Sequence, residues 1–194
     1  MARLKLQSER DVVGRCETLR DDLRRGLDRL TAAPSDASLI EEVWRGEALG
    51  TLLWALQLAE LPPYDEAFVP EEAAAADLRG AELRDAEEIE LERESARLWH
   101  WRARTADVQA DGSVALPQRF ASFDQLVASV AMRGYEQGLL PEPARGDFRA
   151  YGTDYRSLDA GRLSEAHAIA AERHQALSWL TSPGTGWDEV ALDT

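Results

Sequence analysis

Cysteine is almost missing from this sequence, since Cys16 is the only one in 194 residues. A single cysteine excludes an intramolecular disulfide and a metal site built from cysteines. Cys16 lies at helical spacing with Val12, Leu19 and Leu23. We therefore expect the Cys16 thiol to pack in the core rather than to act as a reactive group.

Long apolar runs are absent as well. The longest strongly apolar stretch, around residues 49–56, is well short of the roughly 18 residues that a membrane-spanning helix needs. The N-terminal stretch MARLKLQSERD carries charges but no apolar signal-peptide core. These absences predict a cytoplasmic protein with no membrane partner.

Several motifs of common enzymes are also missing. Neither GxxxxGKS/T nor GxGxxG occurs, so the usual nucleotide-binding signals are absent. GxSxG, the motif of the hydrolase nucleophile elbow, does not occur either. The sequence therefore predicts no cofactor.

Basic residues are too few to balance the acidic ones. The chain has 22 Lys and Arg against 36 Asp and Glu, a formal net charge of -14. No stretch has the basic surplus that neutralises phosphates, so we expect no binding to nucleic acid. An acidic surface can bind a basic protein partner or imitate DNA, although most acidic proteins are simply soluble.

Helical periodicity dominates what is present. With 44% hydrophobic residues, residues 1–194 are expected to form a single domain around one core. The pattern predicts an all-α bundle of about five to seven helices, with an irregular segment near 139–158 that contains a loop or a short strand. Residues 36–60 are apolar on nearly all sides and are expected to form the central helix. Ser8 and Ser122 are predicted N-caps.

The last helix places an arginine on its apolar face. This face consists of Ala166, Ile169, Arg173, Ala176 and Leu180. A guanidinium stays charged and is costly to bury alone, so Arg173 needs a carboxylate partner. The acids of the C-terminal tail are predicted to fold back and supply it, namely Asp188, Glu189, Asp193 and the chain terminus.

Polar and aromatic side chains near the end of the chain form the candidate site. Its members are Glu172, Arg173, His174, Trp179, Trp187, Asp188 and Asp193, with Arg45 and Glu47 as neighbours. Arg45 lies on the same helix face as Leu49 and Leu52. This spacing predicts that the charged side chain of Arg45 points toward the core. Such a cluster could perform acid–base chemistry. Alternatively, it is a clamp that holds the tail on the body, which the lack of a nearby nucleophile favours.

Two of the three histidines share one helix face. His167 and His174 are seven residues apart, so a metal site with two histidines is geometrically conceivable. The HExxH spacing of four that is typical of zinc sites is not met. We expect these histidines to flank the core, and no metal is predicted.

Three motifs together resemble a known family. They are WRxE with the following LLWAL, at Trp44, Arg45 and Glu47; ERHxALxWL, from Glu172 to Leu180; and WDxVxxDT, from Trp187 to Thr194. In these motifs the chain resembles the bacterial family named domain of unknown function 4272, from about residue 8 to the end. The resemblance implies that the charged residues belong to one cluster, and it implies no activity.

Three classes of function follow from these observations. We expect a noncatalytic binding or accessory protein that engages a basic partner through its acidic surface. The first alternative is a hydrolase-type enzyme that uses the Arg, His and carboxylate cluster, and the second is a small-ligand or metal binder. An open pocket lined by Arg173, His174 and Asp188 favours the alternatives, whereas burial and mutual pairing of these groups favours the first class.

Overall fold

The computed structural model describes residues 5–32, 37–112 and 120–192. In these ranges it contains six α-helices, one two-stranded sheet and two short 3-10 helices. The α-helices are α1 (Glu9–Ala32), α2 (Ala37–Ala55), α3 (Pro70–Ala75), α4 (Ala86–Asp111), α5 (Phe123–Glu136) and α6 (Ala160–Leu180). The strands are β1 (Arg149–Ala150) and β2 (Thr153–Asp154), and the 3-10 helices are Tyr155–Ser157 and Trp187–Glu189. The prediction of an all-α bundle is confirmed.

The main helices pack in the order α1, α2, α6, α4. Helix α2 lies against both α1 and α6, and α6 lies against both α2 and α4. Leu49, Leu52 and Leu53 of α2 are at most 2% exposed, because a helix that is apolar on all sides must be covered on all sides. Cys16 is fully buried on α1, as expected, and burial raises the pKa of its thiol to about 12.

Helix α2 ends earlier than predicted, at Ala55 rather than near residue 60. Gln57 adopts a left-handed conformation with φ of 59°. Its backbone N–H bonds to the Trp54 carbonyl at 2.9 Å, and the N–H of Leu58 bonds to the Leu53 carbonyl at 2.9 Å. This hydrogen-bond pattern is a Schellman motif, which satisfies the last carbonyls of a helix and turns the chain away.

The predicted N-caps are confirmed. The Ser8 hydroxyl accepts a hydrogen bond from the Asp11 backbone at 3.2 Å, and the Ser122 hydroxyl accepts one from the Gln125 backbone at 3.1 Å. Asp159 caps α6 in the same way through the backbone N–H of Arg162. These local bonds satisfy N–H groups that the first helical turn leaves without partners.

The irregular segment 139–158 is held to α4 by a buried ion pair. Arg102 of α4 donates to both carboxylate oxygens of Asp147, at 2.7 Å each, and both residues are 1% exposed. Asp147 also accepts hydrogen bonds from the backbone N–H groups of Phe148 and Arg156. Sequence reasoning missed this pair, although Arg102 follows the buried Leu98 by four residues and thus lies on the same helix face.

The C-terminal tail packs back on the body, as predicted, but through aromatic and amide contacts. The ring of Trp187 lies 5.5 Å from that of Trp179. Gln175 donates a hydrogen bond to the Trp187 carbonyl at 2.6 Å, and the guanidinium of Arg15 lies 4.8 Å from the Trp187 ring centre. The two tryptophans therefore contact each other as the predicted clamp requires, whereas its predicted ion pair between Arg173 and a tail acid does not form in the described residues.

Candidate functional site

A fully buried ion pair joins α6 to α2. Arg173 is 0% exposed and Glu47 is 2% exposed, and Nε of Arg173 lies 3.0 Å from Oε2 of Glu47. The terminal nitrogens of Arg173 donate to the carbonyls of Pro62 at 2.6 Å and of Glu66 at 2.8 Å. The other oxygen of Glu47, Oε1, accepts a hydrogen bond from the Phe68 backbone at 2.5 Å. The pair therefore pins the loop between α2 and α3, residues 56–69, to the body.

The predicted partner of Arg173 is wrong. Its carboxylate comes from Glu47, not from Asp188 or Glu189, while Asp193 lies outside the described residues. The tail leaves α6 at Thr181 and returns beside Gln175 and Trp179, which lie on another face of that helix. The prediction that Arg173 needs a carboxylate partner is confirmed, but the partner lies on α2, which is far from α6 in the sequence.

The prediction for Arg45 is also wrong. Arg45 is exposed, and it is Glu47 that enters the core. Two residues that are two positions apart on a helix point in directions that differ by about 200°, so only one of them can face α6. The pairing with Arg173 decides which one does.

Other members of the predicted cluster line an open polar cleft of about 620 Å³ between α1, α2, α6 and the tail. Arg45, Glu172, Trp187 and Asp188 are among its walls, together with Arg15 of α1. Burial raises the pKa of Glu172, while the positive charge of Arg45 opposes this shift. The structure thus divides the predicted cluster between a sealed ion pair and a solvent-open cleft.

His174 contacts a third element rather than either of these groups. Its Nδ1 lies 3.0 Å from Nδ1 of His100 on α4, and the two residues are 0% and 5% exposed. One imidazole must donate and the other must accept, so the contact requires at least one neutral ring. Burial, followed by the charges of His174, His167 and Arg104, lowers the pKa of His100 to about 4.

The histidine pair predicts loss of stability in acid. The pKa of His100 is 6.5 in the unfolded chain and about 4 in the folded protein. Between pH 6.5 and pH 4 the imidazole is therefore protonated in the unfolded chain but neutral in the folded protein. The free energy of unfolding is therefore expected to fall by about 3 kcal/mol between pH 6.5 and pH 4 through this residue. Urea denaturation of the protein and of His100→Gln across this range measures the difference.

The control for this prediction is His167→Gln. His167 is half-buried, and its Nδ1 lies 3.5 Å from Oδ2 of Asp107, so it shares the helix face of His174 without joining the buried pair. Burial raises the pKa of Glu92, which stabilises the folded state in acid in all of the variants alike. Equal acid slopes for His100→Gln and the unchanged protein would contradict the assignment.

Two absences concern only the part of the chain that the structure describes. There, no group of three or more His, Cys, Asp or Glu side chains could hold a metal ion. None of the helices in those ranges is long and apolar enough to cross a membrane.

The α2–α3 loop carries an apolar groove of about 480 Å³, which we call the Val69 groove. Its walls are Leu53, Leu58, Ala59, Glu60, Pro62, Glu66, Ala67, Phe68, Val69, Glu72, Ala73 and Ala76. The ring of Phe68 packs against α2 at Gly50, where a Cβ would overlap it. The Glu47–Arg173 pair holds the backbone of this loop, so a buried charge determines the shape of an exposed groove.

Acidic residues surround the Val69 groove. Residues 60–88 contain ten Asp and Glu but only two arginines. Both arginines already have partners, Arg79 with Asp77 and Arg84 with Glu88. The rim residues Glu60, Glu66 and Glu72 are all exposed. The rim therefore carries three exposed carboxylates that form no ion pair within the described residues.

Comparison of the chain with known protein families, with curated proteins and with solved structures gives no match. The resemblance to domain of unknown function 4272 stays a prediction.

Proposed function

We propose that this protein is a noncatalytic binding protein that docks a basic, amphipathic segment of a partner protein in the Val69 groove. The observation that carries the proposal is the exposed Val69, which lies between an apolar floor and an acidic rim. The groove offers burial to apolar side chains and ion pairing to Lys or Arg beside them.

Val69 occupies a position where a polar residue would stabilise the fold. It is the N-cap of α3, it makes no side-chain capping bond, and it is 49% exposed. Ser, Thr, Asp and Asn are the preferred N-caps, and their loss costs about 0.5–2 kcal/mol. An exposed valine in place of a cap breaks a local rule of stability, which is typical of a residue that serves binding.

The charge of the groove favours a basic occupant. Glu60, Glu66 and Glu72 attract Lys and Arg side chains and repel acidic ones. The whole chain, with a net charge of -14, also attracts basic partners and repels nucleic acid. A basic protein segment satisfies both the charge and the apolar floor.

The burial of Arg173 and His174, two members of the predicted cluster, supports a noncatalytic role over a hydrolase. Arg173 and His174 are both 0% exposed, and a group that acts on substrate must reach it. The donors of Arg173 bond to Glu47 and to loop carbonyls, which is the arrangement of a structural anchor.

A labelled amphipathic helix of Leu and Lys, about 18 residues long, is the probe for this proposal. Its fluorescence anisotropy is expected to report binding that weakens with salt. Val69→Ser is expected to weaken binding about fivefold because apolar contact is lost, while the free energy of unfolding rises by about 0.5–1 kcal/mol because the new residue caps α3. Opposite changes in affinity and stability distinguish a binding residue from a structural one.

Charge variants complete the test. Replacing Glu60, Glu66 and Glu72 with Gln is expected to weaken binding about tenfold. Replacing Glu17, Asp21 and Glu136, which are also exposed, with their amides changes the net charge by the same amount outside the groove. If both triple variants lose affinity equally, the probe recognises bulk charge and the groove is not the site.

A further inference from the structure

A third cavity, of about 450 Å³, lies between the α2–α3 loop, α4 and the irregular segment; we call it the Glu92 pocket. Its walls are mostly apolar and include Leu61, Pro63, Leu139 and Pro141, with the carboxyl group of Glu92 among them. A cavity of this size and composition is typical of small-ligand sites, which combine apolar walls with few polar groups. It shares only Pro62 with the Val69 groove.

Glu92 uses one of its oxygens within the protein. Oε1 accepts a hydrogen bond from the hydroxyl of Tyr64 at 2.8 Å. Within residues 5–32, 37–112 and 120–192, no side chain or backbone group donates to Oε2, and no cation lies within 4.0 Å of the carboxyl group. Burial raises the pKa of Glu92, which reflects the cost of holding a charge in this apolar setting.

Two arginines lie near the pocket, and the positive charge of one of them, Arg173, opposes the effect of burial on the pKa of Glu92. The guanidinium of Arg173 lies behind the Tyr64 ring, 4.8 Å from its centre, and pairs with Glu47. Arg149 lies at the pocket wall, where its Nε donates to the Glu142 carbonyl at 3.0 Å. The pocket thus presents a carboxylate oxygen that a cationic ligand could pair with directly.

The geometry points to a site for an organic ammonium ion, a primary amine on an apolar chain. The ammonium group donates to Oε2 of Glu92 and to the lone pair of the Tyr64 hydroxyl, whose own hydrogen is directed to Oε1. The apolar chain lies along Pro63, Leu139 and Pro141. A charge-assisted hydrogen bond of this kind is stronger than a neutral one, and it selects a cation against an alcohol or a carboxylate of the same length.

Titration with n-hexylammonium, n-hexanol and n-hexanoate, followed by ligand-observed NMR at neutral pH, tests this site. Hexylammonium is expected to bind about tenfold more tightly than hexanol, and hexanoate more weakly still. Glu92→Gln is expected to weaken hexylammonium binding about tenfold and to leave hexanol binding within about twofold. The comparison of three ligands on the unchanged protein does not depend on how well any variant folds.

The matched control is Glu87→Gln, an exposed residue in the first turn of the same helix. It removes the same charge and is expected to leave all three affinities unchanged. Hexylammonium that binds no better than hexanol, or that binds Glu92→Gln as well as the unchanged protein, would overturn the inference. Because Val69→Ser leaves this pocket intact, failure of the proposed protein docking does not affect the result.

Discussion

Glu47→Gln is expected to lower the free energy of unfolding by about 3–5 kcal/mol, and the melting temperature by roughly 10 °C. The substitution keeps the shape of the side chain but leaves the Arg173 guanidinium buried without an opposite charge. An uncompensated charge in the interior is among the most destabilising single changes. Urea denaturation at neutral pH measures the loss.

Asp188→Asn is the matched control for this prediction, because the sequence pointed to that acid as a partner of Arg173. Asp188 is exposed in the polar cleft, so its loss is expected to change stability by less than about 0.5 kcal/mol. Similar losses in the two variants would contradict the assignment of Glu47 as the partner. Glu47→Gln is also expected to open the Val69 groove, because it weakens the hydrogen bond from the Phe68 backbone to the side chain of residue 47. Asp188→Asn is not expected to change the groove.

Asp147→Asn is expected to cost about 3–5 kcal/mol as well, for a related reason. Asp147 is the buried partner of Arg102 and also accepts the backbone N–H groups of Phe148 and Arg156. An amide cannot accept all of these bonds, so the irregular segment is expected to loosen before the helices do. Hydrogen exchange at residues 147–157 together with urea denaturation measures both effects.

A double-mutant cycle isolates the ion pair from these backbone bonds. Arg102→Met with Asp147→Asn is expected to cost less than the sum of the two single variants, by about 1–3 kcal/mol. Asp124→Asn serves as the control, since Asp124 pairs with Arg156 of the same network but at the surface, at 3.1 Å. Its cost is expected to stay below about 1 kcal/mol. Strict additivity of the two single variants would rule out a coupled buried pair.

Local features were predictable because they depend on residues close in the sequence. The N-caps at Ser8 and Ser122 form bonds that span three residues, and both are confirmed. The burial of α2 on several sides follows from its apolar residues, which cover nearly all directions around the helix. The end of α2 was not predictable, because a non-glycine residue, Gln57, adopts the left-handed conformation there.

The candidate site was predictable only in part. Arg173 was expected to be buried and paired, and it is, but its partner lies 126 residues away in the sequence. The Arg102–Asp147 pair was not predicted, because Asp147 lies in an irregular segment. Such a segment has no periodicity that indicates which side chains are buried. The Val69 groove is formed by residues of a loop and two helices, and its apolar residues do not follow one pattern.

The sequence by itself determined the helical fold, the N-caps at Ser8 and Ser122, the acidic charge and the fact that Arg173 must be neutralised inside the protein. Periodicity reveals which face of a helix is buried, because that face repeats every 3.6 residues. It does not reveal which other helix covers that face. Only the packing of α6 against α2 decided that Glu47 neutralises Arg173, because this contact depends on the positions of whole helices in space.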